Sequence, residues 1–373
     1  MKFWYLLLLS SAAAGSHWSA NPFTWDSSED HDATQQAPLL IDTDCGLDYL
    51  ATLALAASAS APLRLVTTTS GLAPPGHGHQ LARRMLDRVG LTAVPVVAGA
   101  EAPPATTARS RQEWETTYDE RVATVTRDMG METSFATRYA RVGPCDAAAA
   151  ADAMVEAARS AGGGATILAL GALTNLAEAV RRHPADFPRL VKRIVFIADT
   201  DPSRQSYNAA LDPAALRTVL GSGTELVLVG SACYPRPDWV ERLFREEIAS
   251  GEGGEPSEGG QAEAAAATAL RVLGRLDPYS MCYDPLALLF FLEPGAFTLG
   301  QATTPVRVSG DTGTEDGWRF ESCEAEAEEQ GGGECTAGYG RVIEPSAVSL
   351  ERYSAFLQQA CSGRGQGGLC GDE

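Results

Sequence analysis

Three aspartates stand close together in the stretch "LLIDTDCGLDYL": Asp42, Asp44 and Asp48. Carboxylates that converge on one place repel one another unless a cation, protons or polar partners offset their charge. Their spacing therefore indicates a metal site or a site for a polar ligand. The structural alternative is that Asp42 and Asp44 are turn formers, and that Asp48 is a helix N-terminal residue favoured by the helix dipole.

The elements that must position these aspartates follow from the apolar pattern. Short apolar, β-branched runs alternate with segments whose apolar residues have helical spacing. This alternation predicts an α/β fold with a mostly parallel central sheet flanked by helices, in which ligands bind at the carboxyl ends of the strands. Asp42 ends the first predicted strand, so all three aspartates are expected at that edge. The predicted strands are 38–42, 63–70, 94–99, 165–171, 193–199 and 224–231.

Three segments interrupt this alternation. Residues 101–140 have weak periodicity and are expected to pass over the pocket as a long excursion. Residues 250–262 predict a solvated acidic loop, and residues 310–337 predict a mobile hairpin tip. None is long enough for a second domain, so we predict one domain over 38–361 and a C-terminal tail over 362–373.

The N-terminus has the pattern of a secretory signal. Residues 1–20 begin with Lys2 and continue with an apolar block and small residues, and residues 21–37 predict a disordered lead-in. No other apolar run approaches membrane length, so the mature protein is expected to be secreted and not membrane-embedded. The alternative is an uncleaved membrane anchor.

The cysteines fit an oxidising compartment without requiring one. Cys45 and Cys282 fall in apolar segments, which predicts buried thiols. The alternative for all eight cysteines is that they are free. Two pairs could close loops in the Gly-rich C-terminal region: Cys323 with Cys335, and Cys361 with Cys370.

The overall charge narrows the ligand class. The formal net charge is −19 and the chain has two lysines, Lys2 and Lys192. Binding to nucleic acid needs a basic face for the phosphates, which this composition does not supply. We therefore expect a small molecule as ligand and no nucleic acid, and we allow for a homo-oligomer.

Five motifs in order make the chain resemble the inosine/uridine-preferring nucleoside hydrolase family. The stretch "DTDCGLDY" stands where that family has Asp-x-Asp-Pro-Gly-x-Asp-Asp. The others are "TTTSG" with "VPVVAGA", "LALGALTNLAEAVRRHP", "YNAALDPAAL" and "YDPLALLFFLEP". Together they cover about residues 38 to 310, and Asn175 and Asn208, two of the three asparagines, fall where the family carries Asn.

The resemblance implies a calcium site and a catalytic base. It implies that Asp44 binds Ca²⁺ and takes the proton of the attacking water, and that Asp284 binds the metal through its carboxylate. Leu170 would bind the metal through its backbone carbonyl. Asp42 would hold the site residues in position without binding the metal itself. The implied reaction is cleavage of the N-glycosidic bond of a ribonucleoside by metal-activated water, through an oxocarbenium-like state.

The resemblance also implies three substrate contacts. Asp48 and Asn208 would bind the ribose of a nucleoside or riboside. Tyr283 stands where many members have a His near the leaving base, and it could stack on the base or protonate it. The alternative for Tyr283 is that it only fills the pocket.

Three departures from the family pattern leave it open whether the protein is a catalyst. Tyr49 replaces a calcium-binding Asp, Leu72 replaces a ribose-binding Asn, and Ser206 replaces a ribose-binding Glu. A neutral phenol is a poor ligand for a hard cation. We predict a divergent nucleoside hydrolase. The alternatives are a pseudoenzyme of the same fold that binds a nucleoside-like ligand or a protein, and a secreted structural protein.

Overall fold

The computed structural model describes residues 37–101, 120–129, 131, 145–199, 206–248, 261–299, 305–310, 318–322 and 340–362. The strands are β1 (Leu39–Thr43), β2 (Leu63–Thr68), β3 (Val96–Ala98), β4 (Ala165–Leu170), β5 (Val191–Phe196), β6 (Glu225–Leu228), β7 (Phe297–Leu299), β8 (Pro305–Gly310), β9 (Trp318–Ser322), β10 (Gly340–Ile343) and β11 (Pro345–Val348).

The α-helices are α1 (Leu47–Ser58), α2 (Pro75–Arg88), α3 (120–128), α4 (Ala147–Ser160), α5 (Thr174–Arg182), α6 (Phe187–Leu190), α7 (Tyr207–Leu211), α8 (Pro213–Leu220), α9 (Pro237–Arg242), α10 (Gln261–Leu276), α11 (Asp284–Leu292) and α12 (Leu350–Ser362). A π-helical turn spans Leu243–Ile248, and short 3-10 turns span Ser231–Cys233, Pro278–Met281 and Pro294–Ala296.

The central sheet has the order β3-β2-β1-β4-β5-β6-β10-β8-β9. The first seven of these strands are parallel, and β8 and β9 join the edge as an antiparallel pair. The predicted mostly parallel sheet is therefore confirmed. Strands β1, β2 and β4 are parallel neighbours, so the residues that follow each of these strands lie together at one edge of the sheet.

Helices cover both faces of this sheet. In β1, Leu39 and Ile41 pack into one apolar cluster and Leu40 packs into the other. The first cluster includes buried residues of α1, α2, α3, α10, α11 and α12, and the second includes buried residues of α4, α5 and α8. Because both faces are buried, the inner strands are continuous apolar runs.

Helix α11 carries a carboxyl group into the interior. Its sequence "DPLALLFFL" is apolar around the whole helix, and Asp284 to Phe291 are buried. Pro285 at the start has its backbone dihedral already set for a helix, and Asp284 in the first turn is favoured by the helix dipole. The drive to bury this helix therefore also buries Asp284. Within the described residues, no helix combines the length and the apolar character needed to cross a membrane.

Several sequence expectations need correction or lie outside the description. Residues 318–322 inside the expected hairpin tip form β9, which pairs with β8. In the segment 101–140, the structure describes residues 101, 120–129 and 131, of which Val122 and Val125 of α3 belong to the core. Cys45 and Cys282 are buried as predicted. Cys361 is a free buried thiol, so its expected bridge is not formed. Residues 1–36, residues 250–260 of the predicted acidic loop, Cys323, Cys335 and residues 363–373 lie outside the described residues, and the predicted domain limits stay predictions.

Candidate active site

The turn between β1 and α1 places the aspartates as the spacing predicted. Asp42 lies in β1, Asp44 in the turn and Asp48 in the first turn of α1. Between them, Cys45 has a φ of 72°, in the left-handed region that residues other than glycine seldom adopt. The backbone N–H of Cys45 donates to Oγ1 of Thr43 at 3.1 Å, which ties this tight turn to the end of the strand.

Asp44 is held between two glycines. A Cβ on Gly71, after β2, would lie 2.5 Å from Oδ2 of Asp44, and a Cβ on Gly171, after β4, would lie 2.6 Å from its backbone N. The Asp44 carboxyl accepts hydrogen bonds from the backbone N–H groups of Gly46 and Leu72, at 3.4 and 3.3 Å. The carboxyl is therefore fixed by the ends of three neighbouring strands. Leu72 keeps a role through its backbone.

Alanine at position 171 is expected to displace Asp44, because its Cβ would collide with backbone rather than with a flexible side chain. We expect Gly171→Ala to lower the free energy of unfolding by about 2 kcal/mol or more. The matched control is Gly221→Ala, where φ is −74° and the nearest contact of a Cβ is 3.4 Å. Denaturant unfolding of both variants is the measurement, and equal stability of the two would contradict this packing.

Asp42 is anchored by side chains from other elements. Its Oδ1 accepts a hydrogen bond from Oγ1 of Thr67 at 2.6 Å and another from Nδ2 of Asn175 at 2.9 Å. Asn175 also accepts from the backbone N–H of Ala100 at 2.9 Å, so it joins the ends of β1 and β3. Oδ2 of Asp42 is buried and has no hydrogen-bond partner. Sequence reasoning noticed Asn175 but did not assign it this anchoring contact.

Asp44, Asp48 and Asp284 lie close enough to affect one another's protonation. Burial raises the pKa of Asp44 to about 7, and burial with the charge of Asp44 raises the pKa of Asp48 to about 8. Burial and the charges of Asp48 and Asp44 raise the pKa of Asp284 well above its usual range. Oδ2 of Asp284 is buried without a hydrogen-bond partner. The cluster therefore carries negative charge that calls for protons or a cation.

The pH dependence of stability tests this description. Burial raises the pKa of Asp42 and Asp44 from 3.8 to about 7, so the folded protein binds protons that the unfolded chain releases above pH 3.8. The stabilising contribution is present at low pH and is lost as the pH rises through about 7. Metal-free protein is expected to have a lower Tm at pH 8 than at pH 6.5. Added calcium should reduce that difference, and a flat Tm over this range would contradict the raised pKa values.

The other predicted site residues lie at the same edge. Leu170 ends β4 and pairs with Thr43 of β1, which places its backbone beside the Asp44 turn. Nδ2 of Asn208 donates to the carbonyl of Ile197, just beyond β5, at 3.1 Å. The ring of Tyr283 meets the ring of Tyr234 edge-on, with centroids 4.9 Å apart.

Tyr49, which stands at the position of a carboxylate in the family motif, makes a contact in the core. Its side chain is fully buried in the core, and its hydroxyl donates to the carbonyl of Gly78 in α2 at 3.2 Å. Among the described residues, no group of three or more His, Cys, Asp or Glu is arranged as a ready metal site. Two predicted carboxylate ligands, Asp44 and Asp284, remain beside Asp48.

Fold and site together define an α/β protein whose buried carboxyls gather at the carboxyl edge of a parallel sheet, where such folds bind ligands. The family model described as inosine-uridine preferring nucleoside hydrolase matches residues 39–335, about four fifths of the chain. The protein belongs to this family, which confirms the resemblance and extends it beyond residue 310.

Individual relatives agree with this assignment. The chain is 26% identical over 208 residues to the "Pyrimidine-specific ribonucleoside hydrolase RihA" of Enterobacter sp. (strain 638), which covers 52% of this chain and 59% of that protein. The chain thus matches less than two thirds of the length of this curated relative.

Solved structures share the fold. An inosine-uridine preferring nucleoside hydrolase from Bacillus anthracis has a TM-score of 0.63 at 16% identity. The match covers 88% of this chain and 100% of that one. A plant nucleoside hydrolase has a TM-score of 0.60 at 20% identity, with coverages of 88% and 100%. A purine-preferring ribonucleoside hydrolase from Gardnerella vaginalis has a TM-score of 0.56 at 16% identity, with coverages of 87% and 98%.

Proposed function

We propose that this protein hydrolyses the N-glycosidic bond of ribonucleosides to a free base and ribose. The observation that carries the proposal is the position of the Asp44 carboxyl at the ends of three neighbouring strands, with the half-buried Asp48 and the buried Asp284 close enough to affect its protonation. Net hydrolysis joins the oxygen of water to the anomeric carbon, and the base leaves with a proton. Carboxylates beside the sugar would stabilise the positive charge that develops on it.

Calcium fits the oxygen donors that remain. Asp44 and Asp284 would hold it through their carboxylates and Leu170 through its carbonyl, and the unpartnered buried Oδ2 of Asp284 is an oxygen that a cation would satisfy. When bound, the ion would lower the pKa of a water molecule and orient it. The loss of one family ligand at Tyr49 predicts weaker affinity for calcium.

The residues of the site would then have separate roles in the reaction. Asp44 would accept the proton of the attacking water as a general base. Asp42 would keep the turn in place through Thr67 and Asn175. Asp48 and Asn208 would bind ribose hydroxyls, and Tyr283 would contact the leaving base.

Removal of the Tyr49 hydroxyl tests whether it is a metal ligand. Because its proton is donated to the Gly78 carbonyl, Tyr49→Phe is expected to lower the free energy of unfolding by about 1 kcal/mol and to leave calcium affinity within about threefold. The matched control is Tyr353→Phe, which removes a phenol bonded to the Met281 carbonyl at 2.5 Å. Calcium titration is the measurement, and a much larger loss of affinity in Tyr49→Phe alone would make the phenol a ligand.

Product analysis tests the proposed reaction. Purified protein is incubated with purine and pyrimidine ribonucleosides in phosphate-free buffer with calcium, and base and ribose are quantified. Equal amounts of base and ribose are expected from at least one nucleoside. Release from none of them, with tight nucleoside binding by calorimetry, would instead favour the pseudoenzyme that Tyr49, Leu72 and Ser206 suggest.

We also propose that the protein is secreted after removal of residues 1–20, on the basis of the signal-like sequence. N-terminal sequencing of the protein recovered outside the cell tests this. A mature chain that begins near residue 21 is expected, and an intact Met1 would contradict it.

A further inference from the structure

A carboxylate outside the Asp44 cluster is fixed at the end of β5. Asp199 is 9% exposed, and its Oδ1 accepts two hydrogen bonds from Ser231, from the backbone N at 2.8 Å and from Oγ at 2.9 Å. Gly230 lies against the same oxygen, since a Cβ there would be 2.6 Å from it. The chain that follows β6 therefore holds this carboxylate in one orientation.

The second carboxylate oxygen of Asp199, Oδ2, takes no part in these hydrogen bonds. No residue in the described part of the chain donates a hydrogen bond to Oδ2. Unlike Oδ2 of Asp42 and Oδ2 of Asp284, this oxygen is not a fully buried atom without a partner. It is therefore open to a ligand although the residue as a whole is nine-tenths buried. An ionised carboxylate only accepts hydrogen bonds, so the ligand group must be a donor.

Asp199 belongs to the same edge of the sheet as the candidate active site. Two residues before it, Ile197 donates its backbone N–H to Ala169 of β4 at 3.2 Å and accepts from Asn208. On the other side is Tyr234, whose hydroxyl pKa is raised by burial and then by the charges of Asp199 and Asp284. Tyr234 thus links Asp199 to the Asp284 side of the site.

We propose that Oδ2 of Asp199 accepts a hydrogen bond from a ribose hydroxyl of the substrate, with Ser231 as the residue that positions the carboxylate. This rests on the proposed hydrolysis of ribonucleosides. A hydroxyl suits the site because it donates the hydrogen bond that the remaining oxygen of Asp199 can accept.

The competing account is purely structural, because Asp199 also caps the 3-10 turn Ser231–Cys233. Asp199→Asn separates the two accounts. Its side-chain oxygen can still accept from Ser231, whereas the open oxygen becomes an amide N–H₂ that donates. Ser231→Ala does the reverse, because it keeps the open carboxylate oxygen and removes one of the two bonds that hold it.

The test compares kcat, KM and Tm for both variants and the wild type, with a ribonucleoside and its 2′-, 3′- and 5′-deoxy analogues. Asp199→Asn is expected to lower kcat/KM at least about tenfold on the ribonucleoside with little change in Tm. One deoxy analogue should show almost no loss, because it lacks the hydroxyl that Asp199 binds. Ser231→Ala should give a smaller loss with the same analogue spared.

Unchanged kcat/KM in Asp199→Asn, or an equal loss on all three deoxy analogues, would overturn the inference while the proposed hydrolysis stands. If the wild type turns over no nucleoside, the proposed hydrolysis fails instead, and calorimetry with ribose and inosine decides the inference. Binding that Asp199→Asn weakens about tenfold would support it. Equal binding, or none by the wild type, would overturn it.

Discussion

Replacement of Asp44 by Asn is expected to lower kcat for ribose release at least about a thousandfold, because the variant loses both the proton acceptor and a charge on the proposed metal. The fold should survive, since the amide has the shape of the carboxyl that fits between Gly71 and Gly171. One of the two backbone N–H groups now bonded to Asp44 would face an N–H₂ group, which costs about 1 kcal/mol. The measurement is ribose release under saturating nucleoside with calcium.

The matched control for this variant is Asp238→Asn. Asp238 is an exposed aspartate in the first turn of α9 whose ion pair with Arg236 lies on the surface. Its removal is expected to leave kcat unchanged, because exposed ion pairs contribute little. Retention of more than about a tenth of wild-type kcat by Asp44→Asn would exclude Asp44 as the base, since general-base catalysis contributes at least about a hundredfold.

Restoration of the family's proline at position 45 is expected to unfold the protein or to lower its free energy of unfolding by about 3 kcal/mol or more. The proline ring fixes φ near −65°, whereas Cys45 has a φ of 72°. Proline also lacks the N–H that Cys45 donates to Thr43. Denaturant unfolding of Cys45→Pro is the measurement.

Cys45→Ala is the control for this substitution. It keeps the backbone N–H and the left-handed φ, and it removes only the thiol that packs against Gly78. The difference between the two variants therefore isolates the backbone effect. Equal stability of Cys45→Pro and Cys45→Ala would show that the turn adopts the ordinary φ of the family motif rather than the conformation described above.

The inner strands of the sheet could be predicted from the sequence because each of them is a short apolar run that stands out locally. Six apolar runs with turn residues around them correspond to β1 to β6, with ends that differ by a few residues. The late strands β8, β9 and β10 were missed because "PVRVSG", "WRFES" and "GRVI" are short runs among Glu- and Gly-rich residues, where a loop pattern dominates. Their strand character comes from pairing with the edge of the sheet.

The candidate site was predictable only in part. The Asp42, Asp44 and Asp48 spacing and the start of α11 are local patterns, so they could be read along the chain. The bond between Asn175 and Asp42 joins residues 133 positions apart, and the bonds between Ser231 and Asp199 join residues 32 apart. No periodicity encodes such contacts. The motif marks Tyr49 as an altered ligand position, but only the packing of α1 against α2 shows that its hydroxyl bonds to Gly78.

The rate of ribose release before and after removal of calcium tests the central claim most directly. Purified protein is assayed on its best ribonucleoside, then with a calcium chelator, and then with excess calcium restored. Release that stops with the chelator and returns with calcium is the predicted result, because Asp44 and Asp284 would hold the ion that the reaction needs. Release that continues at full rate in the chelator would contradict a calcium-dependent reaction at these carboxylates.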